Sequence, residues 1–227
     1  MKKIGFIGAY DKTDLILYIA KVIAEAGKTV LVIDTTITQK ARYIVPCIAP
    51  SKYYITEYEG VDVAVGFNSL EEIQEYSGSS QLNYDLILID IDDSKNFNNY
   101  NMSKANKNYF VTGFDSYSLK KGLEIIGKMD DTILMKKVLF SHEMIEEEND
   151  YLNFLSFYYS IRWEDGIIYF PYEIGDSTAI IENQRTARIR FKNLSDAYKE
   201  GLFTVSADIL QDVKNSEIRK LIFKRGE

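Results

Sequence analysis

Two stretches of this sequence narrow the fold sharply. Thr29-Val30-Leu31-Val32-Ile33-Asp34 and Tyr84-Asp85-Leu86-Ile87-Leu88-Ile89-Asp90 contain runs of strand formers without polar alternation. A strand that is apolar on both faces must be covered on both faces, the condition of a parallel sheet between helical layers. Lys3 to Gly8 reads as a short buried strand. The segment from Lys12 to Gly27 follows as a helix. Its Leu15, Ile16, Ile19, Val22, Ile23 and Ala26 recur at helical spacing, and Gly27 stands at the C-cap position. Strand, helix and strand within about 35 residues form a βαβ unit.

The pattern continues along the chain. Further strands are expected over 61–65, 109–112, 137–141 and 166–171, and helices over 70–76, 118–128, 146–159, 195–200 and 206–224. Alternating β and α elements predict an α/β fold, a doubly wound and mostly parallel sheet flanked by helices, with 1–227 as a single domain. The Asn-rich stretch 95–108 predicts a surface loop with one turn of helix. The tyrosines, among them Tyr53, Tyr54 and Tyr58, read as sheet and surface packing.

Composition removes several classes. Among 227 residues, 27 Lys and Arg against 34 Asp and Glu give a net charge of −7. With a pI near 5.0, a general nucleic-acid surface is disfavoured and nucleic acid is not an expected partner. Cys47 is the single cysteine, which supports no disulfide framework and points to a reducing cytoplasm. The apolar run after Met1-Lys2-Lys3 breaks at Asp11, Lys12 and Asp14, so no signal peptide is expected, and no segment is apolar enough to span a membrane. His142, the lone histidine, supports neither a metal centre nor a triad. Glu146-Glu147-Glu148 suits an acidic first helical turn.

The first strand-to-helix turn is Gly8-Ala9-Tyr10-Asp11-Lys12-Thr13-Asp14. A P-loop of the form Gly-x-x-x-x-Gly-Lys-Ser/Thr wraps phosphates in backbone N–H groups, neutralises them with Lys and holds Mg²⁺ through the hydroxyl. Lys12 and Thr13 occupy the expected places, but Phe6 and Asp11 replace the two glycines. Asp11 adds a side chain where the backbone is tightly constrained, and negative charge where phosphate would sit. The alternative is an ordinary turn with Asp11 as N-cap, or Lys12 and Thr13 in the first helical turn.

These segments together resemble the ParA/MinD group of P-loop ATPases, the deviant Walker A branch. Lys3 to Thr13 is similar to that family's first strand and loop, Gly27 to Asp34 to its second strand, Asn83 to Asp90 to its Walker B strand, and Tyr169-Phe170-Pro171-Tyr172-Glu173 to a late turn. The resemblance implies nucleotide binding by Gly8, Asp11, Lys12, Thr13 and Asp90, Mg²⁺ at Thr13 and Asp90, and a switch I position at Asp34. The family's signature lysine aligns with Ile7, and the glycine that follows Walker B is missing. The resemblance is therefore to a degenerate member, in the style of TadZ/CpaE variants but with no receiver domain expected ahead of strand one. It implies ATP or ADP with Mg²⁺ or no nucleotide at all, a homodimer, and protein partners in a pilus or secretion machine. The alternative is an active Mg-ATPase, including one that serves plasmid or chromosome partition. The family's adenine-region Asn aligns with Ser141 or His142.

The last segment, Ile218-Arg219-Lys220-Leu221-Ile222-Phe223-Lys224-Arg225, is basic and amphipathic. It is similar in style to MinD-type membrane-targeting helices, which implies peripheral contact with the inner face of a membrane. The alternative is a closing helix packed on the sheet.

Overall fold

The computed structural model describes residues 1–47, 51–129, 132–141, 146–171 and 173–224. Eight strands lie in the order β3-β4-β2-β5-β1-β6-β7-β8. They are β1 (Lys2–Ile7), β2 (Val30–Asp34), β3 (Tyr54–Tyr58), β4 (Val61–Val65), β5 (Leu86–Ile91), β6 (Lys107–Thr112), β7 (Ile133–Ser141) and β8 (Ile161–Pro171). All neighbours are parallel except β3 and β4, which form an antiparallel hairpin at one edge. The doubly wound, mostly parallel architecture expected from the all-apolar runs is the one observed.

Successive strand residues point to opposite faces. Phe6, Val30, Val32 and Leu88 join one apolar cluster, and Ile7, Leu31, Ile33, Ile87 and Ile89 join the other. Helices α1 (Thr13–Glu25), α8 (Asp196–Ile209) and α9 (Asn215–Lys224) pack on the first face. Residues of α3 (Leu70–Ser77), α4 (Ser94–Asn99), α5 (Ser116–Ile126) and α6 (Glu146–Ser156) pack on the second. The remaining helices are the short α2 (Ala41–Ile44) and α7 (Ile174–Thr186). Among the described residues, no helix is long and apolar enough to cross a membrane.

One sequence expectation is corrected, and two elements were not expected. The segment 95–108 carries the expected turn of helix, as α4 followed by a 3₁₀ turn at Met102–Lys104, but it is not wholly a surface loop: Phe97, Tyr100 and Met102 are buried, and Lys107 already belongs to β6. The 54–58 segment is the edge strand β3, which was not among the expected strands, and Tyr54 and Tyr58 are buried in it, in keeping with their reading as sheet packing. Helix α7 was not foreseen; Asp176 in its first turn accepts hydrogen bonds from Ser195 N (2.6 Å) and Oγ (2.9 Å), tying it to the start of α8.

Helix α9 docks on the body of the fold. Ile218 and Ile222 are fully buried, and Leu221 and Phe223 pack partly against the same core. Arg219 pairs with Glu200 of α8 and lies 5.0 Å over the Phe203 ring. Lys220 faces solvent. The apolar stripe that a membrane would need is spent inside the protein, which favours the closing-helix reading. Arg225 and the side chain of Lys224 lie outside the described residues, as do His142 and Tyr172.

Phe97 gives a direct check on the 95–108 segment. Phe97→Ala is expected to cost about 3–5 kcal/mol in urea unfolding, as for other buried aromatic truncations. Asn98→Ala, one exposed position away, should stay within about 0.5 kcal/mol of the parent.

Candidate functional site

Strands β1, β2 and β5 lie side by side and end together, so the chain leaves the sheet there at Gly8, Thr35 and Asp92. Open α/β sheets bind ligands at such carboxyl ends, where strand order reverses. A cleft of about 430 Å³ opens at this point, lined by Ala9, Tyr10, Lys12, Thr13, Lys40 and Asp90, among others.

Gly8 makes the first turn possible. Its φ is +147°, and a Cβ there would lie 2.1 Å from the Val111 carbonyl oxygen, so only glycine fits without moving β6. Its N–H donates to Ile91 O at 3.1 Å, which fastens the turn to the end of β5. The chain then rises through Ala9, Tyr10 and Asp11 into α1.

Lys12, just before α1, turns its side chain inward. Its Nζ donates to Gly8 O at 2.8 Å and pairs with Asp90 Oδ1 at 2.7 Å, with both side chains almost fully shielded from water. Thr13 Oγ1 donates to Asp90 Oδ2 at 3.3 Å. Register sets Asp90 opposite Asp34 on β2, two carboxylates side by side in a buried strip. Burial pushes the Asp90 carboxyl up to about 7, with the Lys12 ammonium opposing and the Asp34 charge adding to the rise.

Asp34 is committed to its own loop. Oδ1 accepts from Thr36 N (2.9 Å) and Thr36 Oγ1 (2.6 Å), and Oδ2 accepts from Ala41 N (2.9 Å). It therefore holds the 35–41 connection and the start of α2 in place. Asp92, half-buried after β5, accepts from Ile37 N at 3.1 Å through both oxygens, so the two loops that follow β2 and β5 are tied together. Burial raises the Asp92 pKa.

Asp11 is exposed at the mouth of the cleft. Its Oδ1 accepts from Thr13 N at 3.3 Å, so a carboxylate of the chain itself sits on the first amide of α1. Its Oδ2 pairs with Lys40 Nζ at 2.6 Å, and Lys40 also reaches Asp14 at 2.9 Å. Burial works against the Lys40 charge, yet Asp14 and Asp11 outweigh it and hold the ammonium above its usual pKa. Sequence reading missed Lys40, which lies far from the loop and carries no motif of its own. It also missed Asp92. Ile7, where the ParA/MinD resemblance would place a lysine, is fully buried in the same apolar cluster as Ile33, Ile89 and Phe110. Among the described residues, no group of three or more His, Cys, Asp or Glu could hold a metal ion.

No family model matches the sequence, and no curated protein matches it. Solved structures do share the fold. The MinC:MinD cell division complex of Aquifex aeolicus aligns with a TM-score of 0.58 at 18% identity, over 94% of this chain and 97% of that one. MinD complexed with Mg-ADP from Pyrococcus horikoshii OT3 aligns at 0.58 and 12%, over 92% and 96%. A ParA family ATPase from Chlorobium tepidum TLS aligns at 0.55 and 13%, over 99% and 97%. At such identities the likeness establishes the fold.

The buried carboxyl gives a pH prediction with a fixed sign. A folded-state pKa raised from 3.8 to about 7 means that Asp90 adds stability at low pH. That contribution is lost as pH rises through the folded value. The urea midpoint is expected to fall between about pH 4 and about pH 7, and Asp90→Asn should flatten that slope. A slope unchanged in Asp90→Asn would assign the dependence to another group.

Proposed function

We propose that this chain is a degenerate ParA/MinD-like protein that positions or assembles a cellular machine, of the pilus or secretion type, in the cytoplasm. On this reading it works by binding rather than by turnover. The carrying observation is that the phosphate loop is satisfied from within. Asp90 neutralises Lys12, and Asp11 occupies the first amide of α1 where a phosphate oxygen would otherwise accept.

The donor set agrees with Mg²⁺ better than with a polyphosphate. Thr13 and Asp90 offer a hydroxyl and a carboxylate oxygen of the kind Mg²⁺ takes. The cleft, however, sets Asp11, Asp90 and Asp92 against two lysines, and both lysines are already ion-paired. A nucleotide would have to displace these internal contacts, so any binding of ATP or ADP is weak. The alternative, an active Mg-ATPase of the MinD/ParA type, is favoured by one observation: Lys12, Thr13 and Asp90 converge at the carboxyl end of the sheet. Neighbours of the same fold include MinD with Mg-ADP and a Borrelia burgdorferi plasmid partition protein bound to AMPPNP.

We also read the cleft face as a homodimer surface. Tyr43 is 82% exposed and Tyr117 68%, and both line the cleft; Ile37, tied to Asp92 beside it, is 77% exposed. Large apolar side chains clustered at one site on a soluble protein mark a contact surface.

Three measurements test this reading. Mg-ATP turnover is expected at background, and nucleotide affinity in Asp11→Gly is expected to rise by about tenfold or more as a repelling charge leaves. Ile7→Lys is unsuited to the same test, because it would put an ammonium into the apolar core. Turnover in the parent that vanishes in Lys12→Ala would reverse the assignment to an active ATPase. Light scattering should show a dimer in the parent that dissociates in Tyr43→Ser/Tyr117→Ser; a parent that stays monomeric at high concentration rules out the dimer.

A further inference from the structure

We propose that the corner formed by Tyr53, Phe67 and Tyr76 is a binding site for an organic cation, an alkylated ammonium or a guanidinium head. It lies outside the phosphate cleft, at the edge of the sheet where β3 and β4 meet α3.

The corner is built by close approach of backbone. Gly66, after β4, has φ +86°, and a Cβ there would lie 2.3 Å from the Lys52 carbonyl oxygen. Only glycine lets the chain ahead of β3 press on this turn. That contact brings the Tyr53 ring to 5.5 Å from Phe67. Tyr76, from the last turn of α3, completes the set at 5.3 Å from Phe67 and 5.9 Å from Tyr53. The interplanar angles are 52° for Tyr53 and Phe67, 70° for Phe67 and Tyr76 and 83° for Tyr53 and Tyr76, so the rings pack edge to face and a cation would rest on the outer faces of Tyr53 and Tyr76 rather than between the rings. Phe67 is the buried floor, and Tyr53 and Tyr76 are each 49% exposed. The adjoining cleft has a volume of about 490 Å³.

The charges around it select the ligand. Glu72 and Glu75 line the cleft, and Asn68 fixes the Glu72 carboxylate through its N–H at 2.8 Å and its side-chain amide. Lys52 is the opposing charge, leaving the lining one negative charge in excess. Aromatic faces are negative and attract cations, most strongly alkylated ones that are cheap to desolvate. An anion would meet two carboxylates and the ring faces. Among the described residues, none of the chain's own cations lies over these three rings. Nearby Arg42 is engaged by the Ser51 and Lys52 carbonyls, the Gln39 side chain and the Tyr54 ring.

The full chain is titrated with choline, with its neutral isostere 3,3-dimethylbutanol, and with short peptides carrying arginine or trimethyllysine. Binding is followed by NMR of the tyrosine ring resonances. Choline is expected to move Tyr53 and Tyr76, and to bind about tenfold tighter than the isostere. Tyr76→Leu should weaken choline by a similar factor, and the exposed substitution Glu75→Gln by about threefold. A peptide that outbinds choline assigns the site to a side chain of a partner protein; the reverse order assigns it to a free small cation. Equal response to choline and the isostere, no response to any cation, or full affinity in both variants would overturn the proposal.

Discussion

An ammonium and a carboxylate, Lys12 and Asp90, meet at 2.7 Å with almost no water around either, and much of this molecule is arranged to make that tolerable. Taking both charges out of water costs several kcal/mol each, which mutual attraction offsets only when the remaining lone pairs and protons are also used. Here Gly8 O takes a second lysine proton and Thr13 Oγ1 donates to the second carboxylate oxygen. The pair joins the first turn to β5, the strand beside β1 in the middle of the sheet. Burial is the main reason the protonation of Asp90 is finely balanced, with Lys12 opposing the rise and Asp34, next to it in register, adding to it.

The same restraint shapes the surroundings. Lys40 gathers Asp11 and Asp14, Asp92 gathers the Ile37 amide, and Asp34 gathers Thr36 and Ala41. Each carboxylate near the cleft thus has a partner supplied by the chain. The cleft looks open in shape but is electrostatically closed. A phosphate-bearing ligand would compete with groups held at high effective concentration by the fold itself.

Much of the fold was legible because burial on two faces leaves an unmistakable trace. Strands β2 and β5 have no polar alternation, and α1 has its apolar residues at helical spacing. Strand β3 escaped notice because an edge strand alternates, and Tyr-Ile-Thr-Glu-Tyr reads equally as a surface segment. Helix α7 escaped because 174–186 has no clear apolar stripe and leaves Ile174 and Ile181 facing solvent. In 95–108, asparagines outnumber the three residues that matter, Phe97, Tyr100 and Met102, so composition pointed outward while packing went inward. At the site, local motif residues were readable, since the turn, the helix start and the strand end are each contiguous. Lys40 was not readable: its pairing with Asp11 depends on the path of the chain after β2, which no local pattern encodes.

The two ends of the sheet differ in a way that bears on how the protein survives in a crowded cell. β3 is short, whereas β8 runs for 11 residues and, among the described residues, hydrogen-bonds to β7 alone. A long strand with one free side is a template for uninvited strands. This one is blunted along its length: Arg162 and Asp165 are exposed, Gly166 turns through φ +80°, and the register with β7 slips between Met135 and Lys137. Charge, kink and slip together spoil the flat ladder that another chain would need. Flattening the edge at these few positions would leave the core and the cleft intact while raising the tendency to aggregate, so they guard solubility rather than the site.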